Sequence, residues 1–323
     1  MVSTYSEAGV DIDASEKATE ALIAQIKNVG RKGDGEAIKL DNGFAGLVKL
    51  GNGALAMCTD GVGSKLLLAE EMDSIHTVGI DCVAMNTNDL ICVGAEPLSF
   101  VDYVALDKPD EELMAKIGKG LAEGCKQSNC TLSGGETAIL PELVHGFDIA
   151  GTSVGYVKQE EIIDGTKISE GDVLIGLKSS GPHSNGYTLI RKLFDGDKEL
   201  GKKLVEPTRI YVKEVMDLIK QVDVHGIAHI TGGGLDNISR INDNFQYIID
   251  TPLPVPSVFD WLQEKGNIED KEMYRTFNMG MGMVIIVDKD DAEKSVSILG
   301  EHAKVIGSVG SGKGVSHNAV QYE

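Results

Sequence analysis

The sequence predicts a two-domain protein of the mixed α/β class, and three observations support this prediction. The chain has 323 residues, whereas single hydrophobic cores rarely keep growing beyond roughly 250 to 300 residues. Short apolar runs that end in glycine alternate with segments whose apolar residues recur at helical spacing. A polar, charged stretch at residues 158–172 separates two such series. We therefore place a boundary near residue 166, between a domain of residues 1–166 and a domain of residues 167–323.

The first half of the chain alternates strands with helices. Residues 54–60 form an apolar run that is halted by DGVG, which predicts a buried strand that ends at Asp60. Residues 81–95 carry apolar side chains at helical spacing, so Asp89 falls on a helix. The other elements predicted for this half are a strand at 97–106, a helix with an acidic first turn at 110–129, and strands at 130–135 and 148–157.

The second half predicts another α/β layer by the same reasoning. Its apolar runs are again bounded by glycine, proline or charged residues, and the fold class follows from the order of the elements. Strands are predicted at 173–181, 247–250, 279–287 and 304–309, and helices at 185–194, 208–222, 257–265 and 292–299.

Composition excludes several classes of function. The formal net charge of -20 opposes nonspecific binding to nucleic acid, which relies on a basic surface. No apolar run approaches the roughly 18 residues that cross a bilayer, and the N-terminal residues carry no signal or transit pattern. We therefore expect a cytoplasmic protein with no membrane partner. The five cysteines show no zinc spacing and are interpreted as reduced core residues.

Two nucleotide-binding motifs are absent or incomplete. GSVGSGKG at residues 307–314 resembles a P-loop, but Gly314 stands where Ser or Thr should hold magnesium. Fewer than ten residues remain for the helix that such a loop must open, so we expect a surface turn there. The G-x-G-x-x-G fingerprint of dinucleotide-binding enzymes is also missing.

Acidic residues at the ends of separate elements are the stronger signal for a site. Asp60, Asp89 and Glu136 would form a magnesium site if they converged, because this ion prefers carboxylate oxygens and bridges to substrate phosphates. A solvated or helix-capping role is the common alternative for a lone carboxylate. Beside Asp60, backbone amides and one positive charge could hold phosphate oxygens, from Gly61, Gly63, Ser64 and Lys65.

Two loops of the second half are further candidates. His183 lies in SSGPHSNG between a predicted strand and helix, where it could titrate near neutrality and face a cleft between the domains. An exposed histidine in a capping loop is the alternative. HITGGGLDN could hold an anion through Gly232, Gly233 and Gly234, or it could be a glycine-rich turn.

Taken in order, these segments resemble the phosphoribosylformylglycinamidine cyclo-ligase family along nearly the whole chain. The resemblance is carried by YSEAGVDID, DGVGSK, GIDCVAMNTNDLICVGAEPLSFVDY, SGGETA, SSGPHSNGY, PTRIYV, HITGGGLDN and MYRTFNMGMGM. SSGPHSNGY and MYRTFNMG are specific to the cyclo-ligase, whereas DGVG and ND are shared with selenophosphate synthetase, thiamine-monophosphate kinase and the hydrogenase maturation factor.

The resemblance implies a reaction and a set of roles. Formylglycinamidine ribonucleotide and ATP would give aminoimidazole ribonucleotide, ADP and phosphate. By the same resemblance, Lys27 is a nucleotide-binding and catalytic lysine, Asp60, Asp89 and Glu136 bind magnesium, and His183 contacts substrate phosphate or moves a proton.

The resemblance also implies an assembly. The family looks like a homodimer, so the first domain would be a half-barrel sheet that dimerisation completes, beside a second α/β sheet domain. Two other functions stay open at this point. One is a different ATP-using enzyme of the superfamily, of the kinase or selenophosphate synthetase type. The other is a nucleotide-binding dimer without catalysis.

Overall fold

A computed structural model describes residues 12–26, 29–40, 43–317 and 320–322. Within them the chain forms two β-sheets, one of six strands and one of seven, each packed against helices. The first sheet ends with Lys158 and the second begins with Val173. Residue 166 falls in the connection between them, and the exact boundary stays a prediction.

The first domain contains a curled half-barrel sheet whose strand order is β1-β2-β3-β6-β4-β5. Only β4 and β5 pair in parallel, and the other neighbours are antiparallel. Its elements are α1 (Ile12–Ile26), β1 (Ala37–Ile38), β2 (Gly46–Leu50), β3 (Gly53–Gly61), α2 (Lys65–Glu71), α3 (Ile75–Cys92), β4 (Glu96–Leu106), α4 (Glu111–Gln127), β5 (Thr131–Ile139) and β6 (Phe147–Lys158).

One face of this sheet is covered and the other is open. Side chains of β6 alternate between buried and half-buried positions along the strand, as expected when a sheet has one packed face. The covered face packs against α3, whose side chains are mostly buried. Gly79 of α3 and Gly120 of α4 lie backbone against backbone, so α3 is sandwiched between the sheet and α4.

The second domain has the strand order β13-β12-β9-β11-β7-β10-β8, and most of its neighbours pair antiparallel. β10 lies between β7 and the edge strand β8 and is buried at every position, which matches its uninterrupted apolar sequence. Its elements are β7 (Val173–Lys178), α5 (Tyr187–Leu193), α6 (Lys198–Leu204), α7 (Val212–Ile219), β8 (Val224–His229), β9 (Phe245–Ile249), α8 (Ser257–Gly266), α9 (Asp270–Thr276), β10 (Met281–Val287), α10 (Ala292–Leu299), β11 (Ala303–Ser311), β12 (Gly314–His317) and β13 (Val320–Tyr322).

Helix α3 joins the two domains. Asn88 and Asp89 follow Asp81 by seven and eight residues, so the three side chains lie on one side of the helix. Each contacts the second domain: Asp81 binds Thr208, Asn88 binds the backbone of residues 209 and 211, and Asp89 binds His229. The cleft between the domains is therefore built around one helix of the first domain.

The mixed α/β fold with two sheet domains is as predicted. The surface turn expected at residues 307–314 is limited to residues 312–313, because residues 307–311 belong to β11 and β12 begins at Gly314, and this P-loop-like segment opens no helix. The predicted helix at 208–222 is shorter than expected, because α7 begins only at Val212. Several elements were missed, among them α1, α2, α6, α9, β2 and β8. No helix in the described part of the chain is long and apolar enough to cross a membrane.

Candidate active site between the two domains

Asp60, Asp89 and His229 lie together where the domains meet. Asp60 comes at the end of β3, Asp89 is on α3, and His229 ends β8 of the second domain. Oδ1 of Asp89 lies 2.8 Å from Nδ1 of His229, and Oδ2 lies 3.6 Å from the Cys58 thiol that donates to it. Nδ2 of Asn88 lies 3.4 Å from Nε2 of His229. Because an amide nitrogen can only donate, the ring accepts at Nε2 and donates from Nδ1 to Asp89.

The environment of Asp60 raises the pKa of its carboxyl group. Its side chain keeps contact with solvent, yet protein atoms crowd it in the cleft, and this desolvation raises the pKa of Asp60. The amide of Gly61 donates to Oδ1 at 2.7 Å and lowers the pKa, while the negative charge of Asp89 raises it again. A nearby cation would stabilise the negative charge of Asp60, so this carboxylate is suited to bind a metal–nucleotide complex.

The glycine-rich loop at 232–234 offers only part of its backbone to the cleft. Gly232 is exposed and Gly233 is half-buried. Gly233 and Gly234 have φ values of 108° and 56°, which favour glycine. The amide of Gly234 donates to the carbonyl of Thr231 at 3.0 Å, and a side chain at Gly234 would collide with the backbone of Tyr274. Any anion held here would therefore face Gly232 and Gly233.

The loop after β3 is more open. Gly63 has a φ of 69° and is exposed, with no atom within 4 Å of the place a Cβ would take. The Ser64 hydroxyl lies 3.2 Å from that of Thr188, so this loop contacts the second domain. Gly61 and Gly63 stay candidate phosphate contacts.

His183 is buried rather than facing the cleft. Its side chain has no solvent exposure, and its ring centre lies 6.3 Å from Tyr211 and 6.5 Å from His229. The amide of Ser180 donates to Nε2 at 3.3 Å. Burial lowers the pKa of His183 well below the usual value, with the charges of neighbouring basic groups acting in the same direction. This corrects the expectation of a histidine that titrates near neutrality.

Lys65 is also placed differently from the sequence prediction. Its side chain is fully buried, and Nζ donates to Asp81, to the carbonyl of His183 and to the carbonyl of Glu206. An ammonium has three donors. Since all three are engaged inside the protein, Lys65 has none left for a phosphate in this conformation.

Glu136 does not join the other two carboxylates. Cross-strand pairing runs from Gly61 through Ala150 and Tyr103 to Glu136, so Glu136 is three strands away from Gly61. Asp60, one residue before Gly61, faces the opposite side of the sheet because side chains alternate. No group of three or more potential ligand residues that could hold a metal is found among the described residues. Lys27 lies outside them.

Asp102 is a candidate that the sequence reasoning missed. It pairs with Gly151, which pairs in turn with Asp60, so both carboxylates project from the same face two strands apart. Burial raises the pKa of Asp102 as well. An aspartate inside the apolar run FVDYVAL is the signal that could have found it, since a strand interior rarely holds an unpaired charge.

The two domains match known family models. Residues 43–157 match the AIR synthase related protein, N-terminal domain, and residues 169–319 match the AIR synthase related protein, C-terminal domain. A two-domain fold with polar groups from both halves in one cleft therefore places the chain among AIR synthase related proteins.

Curated relatives narrow this class. The chain is 47% identical to the phosphoribosylformylglycinamidine cyclo-ligase of Methanosarcina acetivorans, over 95% of this chain and 94% of that protein. It is 45% identical to the enzyme of the same name from Methanocaldococcus jannaschii, over 98% and 95%. The chain belongs to the phosphoribosylformylglycinamidine cyclo-ligase family.

Solved structures support the fold. Thiamine monophosphate kinase from Aquifex aeolicus matches with a TM-score of 0.66 at 16% identity, covering 97% of this chain and 100% of that chain. Hydrogenase maturation protein HypE in complex with ATP matches with a TM-score of 0.62 at 19% identity, covering 91% and 87%. At these identities the likeness concerns the fold alone.

Proposed function

We propose that this ring-closing ligase of purine biosynthesis converts formylglycinamidine ribonucleotide and ATP into aminoimidazole ribonucleotide, ADP and phosphate in the cleft between its domains. We place the reaction there because Asp89 of the first domain contacts His229 of the second domain, and Asp60 lies beside them. The family uses ATP, and HypE, which has a similar fold, has been solved with ATP bound.

The chemistry defines what the cleft must do. An amide oxygen is a poor leaving group, so the γ-phosphoryl group of ATP is placed on the formyl oxygen. The amidine nitrogen then attacks the formyl carbon and closes the ring, the carbon–oxygen bond breaks with release of phosphate, and the nitrogen loses its proton. Such transfers depend mainly on positioning and on electrostatic stabilisation. Two phosphate-bearing molecules must therefore be held side by side.

The carboxylates fit a magnesium–nucleotide complex better than a cage made by protein alone. Magnesium in such sites is bound by one or two carboxylates together with waters and substrate phosphates. Asp60 and Asp89 would hold it, and His229 would orient Asp89 by its hydrogen bond. When bound, the ion would neutralise charge on the transferred phosphoryl group. Asp102, on the same face of the sheet, is the third acid that we assign to this region.

The backbone would supply the remaining phosphate contacts. Gly61 and Gly63 lie at and just after the end of β3 in the first domain, and Gly232 and Gly233 belong to the second domain. Amides at such turns bind anions without adding positive charge. In a chain of net charge -20, this device lets two phosphate-bearing ligands be held without a broadly basic surface.

We also propose the homodimer that the sequence suggested. The open face of the first sheet carries Met57 on β3 and Val101 and Tyr103 on β4, and each is between 38% and 43% exposed. Covering this face with a second copy would bury them and complete the barrel. Glu136 shares this face with Tyr103, so in the dimer it would lie at or near the subunit interface. The cytoplasmic location stays a prediction.

A coupled assay tests the function. Purified protein is supplied with formylglycinamidine ribonucleotide, ATP and magnesium, and the aminoimidazole product is detected together with ADP. We expect equal amounts of the two products, and omission of the ribonucleotide should abolish ADP formation. Turnover of another phosphate acceptor without aminoimidazole product would favour a superfamily kinase. ATP binding without any turnover would favour a nucleotide-binding dimer.

A further inference from the structure

The buried Lys65 contacts three groups that come from distant parts of the chain. Nζ lies 2.8 Å from Oδ1 of Asp81, 2.8 Å from the carbonyl oxygen of His183 and 2.7 Å from that of Glu206. Both Lys65 and Asp81 side chains have no solvent exposure. Asp81 belongs to the first domain, whereas the two carbonyl groups belong to loops of the second domain. The ammonium therefore fastens one domain to the other.

Asp81 strengthens the same junction. Its Oδ1 also accepts from the amide of Thr208 at 2.7 Å and from the Thr208 hydroxyl at 2.6 Å. We call residues 179–186 the His183 loop and residues 206–211 the Thr208 loop. The Lys65–Asp81 pair thus holds the His183 loop by one hydrogen bond to its backbone and the Thr208 loop by three hydrogen bonds.

The two loops are also bound to each other. The Ser180 hydroxyl donates to the carbonyl of Pro207 at 2.6 Å, and the hydroxyl groups of Ser184 and Thr208 are 3.0 Å apart. A shift in either loop would therefore move the other. What fixes both of them relative to the first domain is the buried ion pair, together with the contacts of Asn88 to residues 209 and 211.

Lys65 also fixes the orientation of a backbone group. His183 has a φ of 60°, a left-handed conformation that is uncommon for a residue other than glycine. Its carbonyl points at Lys65. In a trans peptide the C=O and the following N–H point in opposite directions, so the amide of Ser184 is directed away from the buried ammonium. The lysine therefore stabilises a strained turn and aims the amide that follows it.

We propose that Lys65 is a positioning residue: its ammonium, paired with Asp81, sets the position of the His183 and Thr208 loops relative to the segment Asp60–Ser64. That segment directly precedes Lys65 in the chain, so one residue connects it to both loops of the second domain. The inference rests on the proposed function in so far as the reaction takes place in this cleft. It assigns no contact with substrate to Lys65.

The test separates positioning from stability. A single substitution, Lys65→Met or Asp81→Asn, leaves the partner in a buried site without its counter-charge, which is strongly destabilising in its own right. The double variant Lys65→Met/Asp81→Asn removes both charges and keeps both shapes. We expect it to melt at a higher temperature than the Lys65→Met variant.

The catalytic measurement uses the double variant and a matched control. We expect kcat to fall by about 10- to 100-fold, because misplacement of reacting groups by about 1 Å can cost that much. The dissociation constant for ATP should stay within a few fold of the parent value, since Asp60 and Asp89 are unchanged. Lys167→Met/Asp223→Asn removes an exposed salt bridge of the same residue types and should leave both quantities unchanged. A parent-like kcat in the folded Lys65/Asp81 double variant would overturn the proposal.

A second pair of variants covers the case in which the double variant does not fold. Thr208→Val removes the hydroxyl that bonds Asp81 and Ser184 but keeps the shape, and Thr208→Ser retains the hydroxyl. Positioning predicts a lower kcat for the valine variant and recovery of most of it for the serine variant. Equal kcat values for the two variants would contradict it.

Hydrogen exchange makes the inference independent of the assay. The measurement uses the Lys65/Asp81 double variant, or Thr208→Val if the double variant does not fold. Backbone amides of residues 179–186 and 206–211 should exchange faster than in the parent. Amides of β10 should keep their protection. If the parent forms no aminoimidazole product, the proposed function fails, and exchange alone decides the positioning role. Unchanged exchange in both loops would then overturn it.

Discussion

Nδ1 of His229 lies 2.8 Å from Oδ1 of Asp89, and this contact connects a strand end of the second domain to a helix of the first. His229 is fully buried, whereas the Asp89 side chain keeps 17% of its exposure. The carboxylate is therefore held by the histidine at Oδ1 and by the Cys58 thiol at Oδ2, and part of it still reaches solvent. Such partners behind a metal-binding carboxylate commonly change metal affinity when they are altered.

His229→Leu should raise the magnesium concentration needed for half-maximal activity by on the order of 10-fold, because Asp89 loses the donor that orients it. It should also lower the free energy of unfolding by about 1–3 kcal/mol through the unpaired Asp89 and Asn88 groups. His229→Asn places an amide donor near the position of Nδ1 and should recover much of the magnesium response. Magnesium titrations and urea melts of both variants check this, and equal responses of the two would contradict it.

Asp60→Asn should lose activity but gain stability at neutral pH. The pKa of Asp60 is raised in the folded protein, so the folded state holds this proton more tightly than the unfolded chain does. Stability is therefore lost as the pH rises from the ordinary pKa of about 3.8 through the raised value. Asparagine cannot carry the charge, so the variant should melt at a higher temperature than the parent at pH 7, and the difference should shrink near pH 4. A variant that melts lower at pH 7 would contradict the desolvation of Asp60.

The buried His183 should make the protein sensitive to mild acid. Its pKa is lowered in the folded state, so the unfolded chain takes up this proton first as the pH falls below about 6.5. The stability that neutral His183 contributes is present above that pH and is lost below it. His183→Asn, which tolerates the left-handed backbone, should flatten the fall in melting temperature between about pH 6.5 and pH 5. Parallel curves for parent and variant would show that His183 does not titrate in this way.

The open face of the first sheet should hold the dimer together. The double variant Val101→Lys/Tyr103→Lys places two charges on that face, which a dry interface cannot bury without large cost. We expect a monomer by light scattering at micromolar concentration where the parent is a dimer. Ala115→Lys/Ala122→Lys adds the same charges to exposed positions of α4, which packs on the other side of the domain, and should leave the dimer intact. A monomeric parent would contradict the shared barrel.

Sequence patterns predicted the fold class and the placement of Asp60 and Asp89, because both depend on local signals. An apolar run that stops at DGVG marks a strand end, and helical spacing marks α3. Elements with weaker patterns were missed. β8, with the sequence VHGIAH, mixes histidine and glycine into a buried strand, so its apolar period is interrupted.

The surroundings of Lys65 and Glu136 could not be predicted from the sequence for a different reason. Lys65 follows a glycine-rich loop, as phosphate-binding lysines do, but its partners His183 and Glu206 are 118 and 141 residues away in the chain. Only the tertiary structure brings them together. For Glu136, the side of the sheet depends on the register of β5, which shifts between its pairings with Phe100 and Val101. A shift of one residue reverses the side of every later side chain, and no local pattern reveals it.

Helix α3 packs against the first sheet and makes polar contacts to the second domain. It therefore contributes to the stability of both domains. If α3 separated from the first sheet, its apolar side chains would be exposed to water. If it separated from the second domain, its hydrogen bonds to that domain would be lost. Boundaries drawn from the two sheets therefore do not mark independent folding units. A chain cut near residue 166 would leave Asp81, Asn88 and Asp89 without the partners that hold them. Calorimetry of the intact chain should accordingly show one cooperative transition, with equal calorimetric and van't Hoff enthalpies.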